Sequence, residues 1–520
     1  MLFTDPVFLL LLLPLACVLF YSVTPRFGAS AGFGLLLVIS LLFYWAWGTF
    51  YLILLVLSFT ANFISACALL RLPDQRRAAR RAALTLGLLY NFGTLIWFKY
   101  RFFFMSLGGG ESSFALVDVA IPIGISFYTF QQAIFLVDAY HRDAAVVAYL
   151  GDMRTAWGKL RGYVHHAFFV AFFPHLVIGP IVYLREFQPQ IETANFGRVK
   201  RANLEVGIAL IVLGMFKKVV LADNLGPVAD KMFASVDLHL HVPMAVAWVG
   251  TLAYYAQLYF DFSGYADMAL GCARVLGIRF PMNFYSPLQA VGIVDFYRRW
   301  HITLTRVIAR FMYTPLSVIG TRFAVSHRWP KWPARAISLW LPLLLNFVVI
   351  ALWHGARYTF LLFGIIHGVW YVVETEIRAG KAFKAWRKKS SERLRGFLGR
   401  TIFLLLMAIC FGLFRSTSVV GFGRLLGDLF SPDLALPHSL AGDAGKVLLG
   451  LAIVWLLPNA MEFLERYRPG IATYDNKDYA LPRLRFRWRP DWAWSVVLIA
   501  MLLGALYSIA RQPPFLYMGF

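Results

Sequence analysis

The sequence AISLWLPLLLNFVVIALW, residues 336–353, contains no charged side chain in eighteen positions. An α-helix rises about 1.5 Å per residue, so this stretch is about 27 Å long, close to the thickness of the hydrocarbon core of a bilayer. His354 follows immediately and is the first titratable group after Ala336. The stretch therefore predicts a membrane-spanning helix that ends on an ionisable side chain.

Apolar runs of similar length recur from Val7 to Ala510. Hydrophobic residues make up 59% of the 520 residues and charged residues only 15%, more apolar surface than a soluble protein of this size could bury. We predict an all-α, polytopic membrane protein with about a dozen transmembrane helices. The predicted spans are residues 7–23, 28–47, 50–71, 82–104, 116–139, 204–222, 243–262, 336–353, 357–375, 401–416, 446–464 and 493–510.

Basic residues are in excess, with 50 Lys and Arg against 27 Asp and Glu, for a formal charge of +23. They lie in short loops between the apolar runs, so they predict membrane topology and not a nucleic-acid partner. The strongest basic loops are residues 71–81, 378–400 and 466–489, the last with Arg483, Arg485, Arg487 and Arg489. With these loops in the cytoplasm of a bacterial cell, both termini face the periplasm or the exterior.

The N-terminus and the cysteines add two smaller predictions. Residues 7–21 lack a basic n-region, and Pro14-Leu15-Ala16-Cys17 is a degenerate lipoprotein box, so we predict an uncleaved first span. The cysteines are Cys17, Cys67, Cys272 and Cys410, all in or beside apolar segments and without CxxC spacing. They predict neither a disulfide framework nor a metal site.

Two moderately apolar stretches fit a simple crossing poorly. Residues 163–184 contain Pro174, Gly179 and Pro180 and are followed by basic residues, and residues 267–313 are charged and interrupted by Gly277, Pro281 and Pro287. Irregular backbone at membrane depth has to be shielded by protein. We predict that both are re-entrant, or partly cytoplasmic, within a single membrane domain of residues 1–520. Its parts are N-terminal spans (1–150), a catalytic core (151–375) and C-terminal spans (376–520).

His354 lies in Leu352-Trp353-His354-Gly355-Ala356 and is the first candidate for chemistry. A neutral imidazole can accept a proton from a thiol or hydroxyl, as a general base in acyl transfer must. Gly355 allows backbone or substrate to approach closely. The structural alternative is a helix-end histidine bound to a carbonyl group, and sequence position leaves both open.

A second polar group is Asp295-Phe296-Tyr297-Arg298-Arg299-Trp300-His301. On a helix, Asp295 neighbours Arg298 and Arg299 at positions i+3 and i+4, and such a neutralised pair can lie close to a membrane interior. The arginines could bind phosphates of coenzyme A or of a carrier. An interfacial anchor of aromatic and arginine side chains is the alternative.

Further polar residues predict the wall of a substrate or donor channel. In residues 257–267, Asp261 and Tyr265 are helical neighbours, and with Ser263 they indicate polar scaffolding around a cavity. His175 and His367 are candidates for tunnel lining, with structural roles as the alternative, and His165-His166 carries little signal. A serine-hydrolase elbow, a Walker loop, HExxH and a dinucleotide fingerprint are not evident.

Several strings together resemble the membrane-bound O-acyltransferase family, in particular its bacterial branch typified by alginate O-acetylation, and in the same order along nearly the whole chain. They are Ile121-Pro122-Ile123-Gly124-Ile125-Ser126-Phe127-Tyr128, Phe173-Pro174-His175-Leu176 with Gly179-Pro180, Phe260-Asp261-Phe262-Ser263-Gly264-Tyr265, Arg298-Arg299-Trp300-His301, Leu352-Trp353-His354-Gly355-Ala356 and the terminal Pro514-Phe515-Leu516-Tyr517.

The resemblance implies that His354 is catalytic and that His301 is a second functional histidine. We also predict that the substrate or donor channel includes Arg298, Arg299, Trp300 and Trp353. It implies that an acyl group from a cytoplasmic donor, acetyl-CoA or an acyl carrier, crosses the inner membrane. A periplasmic SGNH-type acetyltransferase would then esterify an exported polysaccharide. No tightly bound cofactor or metal is implied, and membrane lipid surrounds the chain.

One string departs from the family pattern. After the Arg-Arg-Trp-His string the family usually continues with Arg-Asp-Tyr-Leu-Tyr and Pro-Leu-Gly-Gly, whereas this chain has Ala309-Arg310-Phe311-Met312-Tyr313-Thr314-Pro315-Leu316-Ser317. The acidic residue and the paired glycines are missing, so donor docking or the local turn is expected to differ. The alternatives are a D-alanyl transferase of the same family, a transporter that uses the same polar cavity, and a non-catalytic scaffold.

Overall fold

The computed structural model describes residues 1–101, 121–193, 195–389, 391–471, 486–509 and 516. These residues form helices and turns, without a β-strand. A wide π turn, Phe8–Leu12, leads into the first helix. The helices of the N-terminal part are α1 (Leu13–Phe27), α2 (Ala29–Trp45), α3 (Thr49–Arg71), α4 (Arg77–Leu95), α5 (Ile125–Tyr140), α6 (Ala144–Leu150) and α7 (Ala156–Ala171).

The middle of the chain combines long helices with short ones. Its helices are α8 (Phe173–Leu176), α9 (Leu184–Ile191), α10 (Arg201–Met215), α11 (Asp223–Asp237), α12 (Met244–Val275), α13 (Ile293–Tyr297), α14 (Ile302–Ile308), α15 (Thr314–Ser326), α16 (Lys331–Arg335), α17 (Leu341–His354) and α18 (Tyr358–Ala379). Further π turns are Ile96–Tyr100, Phe216–Ala222, Ala309–Tyr313 and Ala336–Trp340, and Pro287–Gln289 is a 3-10 turn.

The C-terminal part continues the helical bundle. Its helices are α19 (Lys381–Lys389), α20 (Glu392–Arg415), α21 (Val419–Leu429), α22 (Leu440–Leu456), α23 (Ala460–Phe463) and α24 (Trp492–Ser508), with a 3-10 turn at Glu465–Tyr467. Polar side chains fix several helix starts. Ser418 accepts a hydrogen bond from the backbone N–H of Gly421, and Asp491 accepts one from Trp494.

Helices long and apolar enough to cross a bilayer confirm the polytopic all-α prediction. Among the described residues five meet that length and hydropathy, and two shorter apolar helices, Ala29–Trp45 and Trp492–Ser508, accompany them. The five are Phe8–Phe27, Thr49–Arg71, Lys331–His354, Tyr358–Ala379 and Gly396–Arg415. Each overlaps one of the predicted spans, and the full dozen stays a prediction.

Parts of some predictions lie outside the described residues. These are the end of the predicted span 82–104, the start of the span 116–139, the last residue of the span 493–510, residues 472–485 of the basic loop with Arg483 and Arg485, and Pro514, Phe515 and Tyr517 of the terminal string. The division of the chain into three parts is likewise still a prediction.

Helix α12 corrects the predicted boundary at residue 262. The helix continues without a break through Asp267 to Val275, and the irregular stretch begins only at Leu276. The Nζ atom of Lys217 lies 2.6 Å from a carboxylate oxygen of Asp267. The sequence suggested that an unpaired aspartate would be too unfavourable in a buried helix. Because Lys217 neutralises its carboxylate, Asp267 can lie inside this helix.

Helices α10 and α12 pack with their backbones almost in contact. A Cβ atom on Gly264 would lie 2.7 Å from the carbonyl oxygen of Gly214, and one on Gly271 would lie 2.7 Å from that of Gly207. Glycines seven positions apart on each helix form the contact, the arrangement by which small residues let membrane helices approach. These glycines therefore let α10 and α12 pack closely together.

The stretch 163–184 enters the helical bundle and turns back, while its place relative to a membrane stays a prediction. Helix α7 ends at Ala171, and the chain turns back through α8 and α9. Arg161 and His165 on the way in and Ile191 and Arg198 on the way out line one cavity, together with Gly28 at the end of α1. Both ends of the stretch therefore lie at the same face of the bundle.

Candidate active site

Two histidines that are 53 positions apart in the sequence, His301 and His354, line one small buried cavity. Its volume is about 30 Å³, enough for a group of a few heavy atoms. Aromatic side chains close most of it: the ring centroid of Phe414 lies 5.1 Å from that of His354, and the ring of Phe262 lies 4.8 Å from that of His301. Tyr297, Trp300, Phe363 and Phe411 complete the aromatic wall.

His354 is the last residue of α17, and the chain leaves the helix at Gly355. The ring of Phe360 lies against Gly355, where a Cβ atom would come within 2.7 Å of it. The group that approaches this glycine is therefore the ring of Phe360, and neither backbone nor substrate as the sequence suggested. The absence of a side chain at Gly355 leaves room for this ring beside the imidazole.

His301 stands before the first turn of α14, with a left-handed backbone (φ 44°) that is uncommon outside glycine. Its Nδ1 lies 3.2 Å from the Oδ1 atom of Asn283. The same Oδ1 accepts hydrogen bonds from the backbone N–H and the hydroxyl of Thr303, at 3.2 and 2.9 Å. Since a backbone N–H can only donate, Oδ1 is an acceptor and Nδ1 carries the proton. This tautomer leaves Nε2 as the basic nitrogen of His301.

Trp353 separates the histidine cavity from a neighbouring cavity of about 70 Å³. Its ring centroid lies 5.6 Å from that of His301 and 5.3 Å from that of Phe127. Lys99 and the first residues of α5 line the neighbouring cavity. The two compartments therefore meet at the Trp-His pair that ends α17.

Lys99 and Tyr100 hold the C-terminal end of α17. The Nζ atom of Lys99 donates a hydrogen bond to the carbonyl oxygen of Trp353, and the hydroxyl of Tyr100 donates one to that of Leu352, each at 2.6 Å. The last carbonyl groups of a helix lack the usual intrahelical partners, so Lys99 binds that of Trp353, and Tyr100 shares that of Leu352 with the backbone N–H of Gly355. They fix the backbone on which His354 stands.

His367, a predicted lining residue, lies one layer behind the cavity. Its Nδ1 is 2.6 Å from the hydroxyl of Tyr297, and Tyr297 itself lines the cavity. Sequence reasoning missed Tyr297, Asn283 and Lys99. Lys99 gave the only usable signal, as an ionisable residue at the end of an apolar run.

The polar pair predicted near His301 forms as expected. The Nε atom of Arg299 lies 2.8 Å from Asp295, and both side chains are buried. Trp300 lines the cavity, whereas Arg298 is exposed and Arg299 lies outside the lining. Of the predicted donor-channel residues in this string, the structure brings only Trp300 to the histidines.

The predicted polar scaffold on α12 faces away from the cavity. Asp261 lies 2.8 Å from the Nζ atom of Lys218 and accepts a hydrogen bond from the backbone N–H of Leu516. Ser263 is buried, and the ring of Tyr265 stacks on Phe3 at 4.7 Å. Sequence reasoning paired Asp261 with Tyr265 and missed Lys218, which is 43 positions earlier. These residues join helices and lie outside the cavity lining.

His175 also lies outside this cavity. Its Nε2 is 2.8 Å from the carbonyl oxygen of Phe169 and 3.1 Å from the side-chain nitrogen of Gln131. His175 therefore connects the turn after α7 to α5. This contact agrees with a structural role, the alternative to tunnel lining that the sequence left open. Within the described residues, no group of three His, Cys, Asp or Glu side chains could hold a metal ion.

Comparisons with known proteins agree on one family. The profile of the membrane-bound O-acyltransferase family (MBOAT) matches residues 39–420, a range that contains both cavity histidines. A peptidoglycan O-acetyltransferase of Helicobacter pylori is 35% identical over 384 residues, 71% of this chain and 69% of that protein.

Two further relatives show the breadth of the match. A probable alginate O-acetylase, AlgI, of Azotobacter vinelandii is 34% identical over 393 residues, 74% of this chain and 71% of the relative. A teichoic acid D-alanyltransferase of Streptococcus thermophilus is 26% identical over 271 residues, 52% of this chain and 60% of the relative.

Proposed function

This chain belongs to the membrane-bound O-acyltransferase family, and from that premise we propose that it moves an acetyl group from a cytoplasmic donor across the inner membrane for O-acetylation of an exported polysaccharide. The chain is a multi-pass membrane acyltransferase. Our proposal adds four points to this: the acyl group is acetyl, the donor is cytoplasmic, transfer runs outward, and the acceptor is an exported polymer.

The observation that carries the proposal is the shared cavity of His301 and His354. Two imidazoles in one enclosed, largely apolar space supply a base and a hydrogen-bonding group with little competing water. The cavity, at about 30 Å³, suits a two-carbon acyl group better than a fatty chain. Its size and its chemistry therefore support acetyl transfer.

In the proposed reaction His354 acts as general base on the hydroxyl of a relay group, which accepts the acetyl group and passes it on to a partner outside the membrane. The imidazole takes the hydroxyl proton while the oxygen attacks the carbonyl carbon of a thioester donor. A carbon–oxygen bond forms, the carbon–sulfur bond breaks, and the proton passes to the departing thiolate. His301, whose Nδ1 is held by Asn283, orients the donor from the cytoplasmic side.

The polymer and the partner are inferred from the relatives. Their printed names include a peptidoglycan O-acetyltransferase and a probable alginate O-acetylase, and both peptidoglycan and alginate contain sugar polymers. We extend an exported polysaccharide acceptor to this chain. Because no serine-hydrolase elbow is evident in the sequence, we assign the final esterification to a periplasmic SGNH-type partner. Acetyl-CoA or an acyl carrier is the proposed donor.

D-Alanyl transfer is the second candidate. It is supported by the match to a teichoic acid D-alanyltransferase, which is weaker in identity and covers 52% of this chain. O-Acetylation ranks first because the peptidoglycan O-acetyltransferase and the alginate O-acetylase described above match at 35% and 34% identity, each over more than 70% of the chain.

Replacement of His354 tests the proposal directly. The variant His354→Ala should lose polysaccharide O-acetylation by more than about a hundredfold, the size of a general-base contribution, while the protein still accumulates in the membrane. His327→Gln is the control, because His327 is exposed, directly follows the last residue of α15 and lies outside the cavity lining. Normal acetylation in the His354 variant would exclude the mechanism and favour a scaffold. Solute flux into proteoliposomes without acyl donor, unchanged by the variant, would favour a transporter.

A further inference from the structure

A larger cavity, of about 450 Å³, lies at the C-terminal end of α12. Four basic side chains line it, namely Arg198, Lys200, Arg274 and Arg279. The described residues of the lining include no acidic side chain. Among the described residues, none of the four forms an ion pair with a carboxylate. The cavity therefore carries a concentrated positive charge that the described part of the chain leaves unbalanced.

Arg274 is the buried member of this group, with only 8% of its surface exposed. One terminal nitrogen donates to the carbonyl oxygen of Tyr467 at 3.3 Å, but its buried Nε–H has no hydrogen-bond partner among the described residues. A buried cation with an unsatisfied donor is costly unless an anion compensates it. The site is therefore suited to receive an anionic group.

The backbone around the cavity holds the basic side chains in place. Gly277 adopts a left-handed conformation (φ 83°), and the turn is closed by a 2.9 Å hydrogen bond from its N–H to the carbonyl oxygen of Arg274. The side-chain amide of Gln190 exchanges two hydrogen bonds with the backbone of Arg279, each 2.9 Å. This turn and α9 therefore preform one wall of the cavity.

The cavity lies on the same long helix, α12, as Phe262, a residue that lines the histidine cavity. Arg274 follows Phe262 by twelve residues on one continuous helix, a rise of about 18 Å. Phe262 packs against His301, and Tyr467, which binds Arg274, lies in the basic loop predicted to be cytoplasmic. An extended acyl-carrying arm could span that distance, with its anionic end at Arg274 and its acyl end at His301.

We propose that this cavity binds the phosphate groups of the acyl donor, specifically the diphosphate of a coenzyme-A-type donor. Four cations match several phosphate charges better than the single charge of a phosphodiester. The inference rests on the proposed function, because it assigns the cytoplasmic donor a docking site. An anionic lipid headgroup offers similar chemistry and is the alternative source of phosphate.

Binding of ADP to the purified protein in neutral detergent tests this site. ADP should bind at least about tenfold more tightly than AMP, and coenzyme A should displace it. The double variant Arg198→Gln/Lys200→Gln removes two exposed charges and should weaken ADP binding by at least about tenfold and raise the KM for acetyl-CoA similarly. Arg274→Gln should have the same effect if it folds.

The matched control is Lys231→Gln/Arg424→Gln, which removes two exposed charges from α11 and α21, beside the other end of α12. It should leave ADP affinity unchanged; an equal loss there would mean non-specific attraction and overturn the site. Displacement of ADP by phosphatidylglycerol in nanodiscs, but not by coenzyme A, would identify a lipid site and also overturn it. If ADP fails to bind while His354→Ala still abolishes acetylation, the docking site is wrong and the proposed function stands.

Discussion

The ammonium group of Lys99 lies 2.6 Å from the carbonyl oxygen of Trp353, the residue directly before His354. The same ammonium group is 5.7 Å from the centroid of the Trp353 ring, so one cation holds both the backbone and the side chain. Lys99 therefore links the end of the fourth helix to the residue that presents the proposed base. We assign it a positioning role.

Lys99→Met should lower kcat for acetyl transfer by about tenfold or more. The reason is that α17 loses the charged group that caps its C-terminal end, and His354 is no longer held in a fixed orientation. The KM for the donor should change much less. Lys99→Arg keeps the charge and should recover part of kcat. Steady-state kinetics on membranes with equal amounts of protein check both values, and a Met variant with the kcat of the parent protein would refute the role.

Asn283 should matter through His301, whose Nδ1 it holds at 3.2 Å. Asn283→Ala removes the acceptor of the His301 Nδ1–H. The same change removes the acceptor of the hydroxyl and the backbone N–H of Thr303, so we expect at least about a tenfold loss of activity. Asn283→Asp keeps an acceptor at the same place and should retain more activity. Equal activities of the Ala and Asp variants, at equal protein levels, would contradict this role for Asn283.

The sequence predicted the elements whose signal is local. The uncharged stretch 336–353 gave the helix that ends at His354, and the i,i+4 spacing gave the pair of Asp295 and Arg299. Proline and glycine in residues 163–184 indicated a broken, returning segment. Each of these depends on a few consecutive residues, which is why a single sequence sufficed.

What the sequence could not supply are contacts between distant residues. No spacing rule joins His301 to His354, and Lys217 lies 50 positions before the Asp267 that it neutralises. Without that partner, Asp267 appeared to end a helix that in fact continues to Val275. In this chain a buried charge was therefore a poor marker of a helix boundary, because the residue that neutralises Asp267 lies outside the helix of Asp267.

Lys218 lies between two carboxylates, 2.7 Å from Asp223 and 2.8 Å from Asp261. Lys218→Met would leave two buried carboxylates facing each other, whereas Asp261→Asn would leave a neutral pair of Lys218 and Asp223. We expect the first change to cost about 3–5 kcal/mol of folding free energy and the second about 1–2 kcal/mol. The recovery of monodisperse protein after heating in detergent ranks the two, and equal losses would count against the three-residue network.

Two glycines should respond to alanine in opposite directions. Gly264→Ala places a Cβ atom 2.7 Å from the carbonyl oxygen of Gly214 and should separate α10 from α12, with a loss of about 1–3 kcal/mol. Gly442 lies in α22, and a Cβ atom added there would have nothing within 4 Å, so Gly442→Ala should stabilise by about 0.5–1 kcal/mol through helix propensity. Thermal unfolding of both variants gives the two signs, and stabilisation by Gly264→Ala would show that the close contact is absent.

Phe414 should set the length of the acyl group. Its ring lies 5.1 Å from the His354 ring in a cavity of only about 30 Å³, so an acyl chain longer than acetyl would have to displace it. Phe414→Ala should raise the ratio of butyryl to acetyl transfer by about tenfold or more, since each methylene that a pocket accommodates contributes about 1–3 kcal/mol to discrimination. Phe403→Ala is the control, because Phe403 is equally buried but outside the cavity lining. If the ratio of butyryl to acetyl transfer is the same in Phe414→Ala and Phe403→Ala, the cavity at His354 does not hold the acyl chain. The acetyl group must then be selected elsewhere along the donor path.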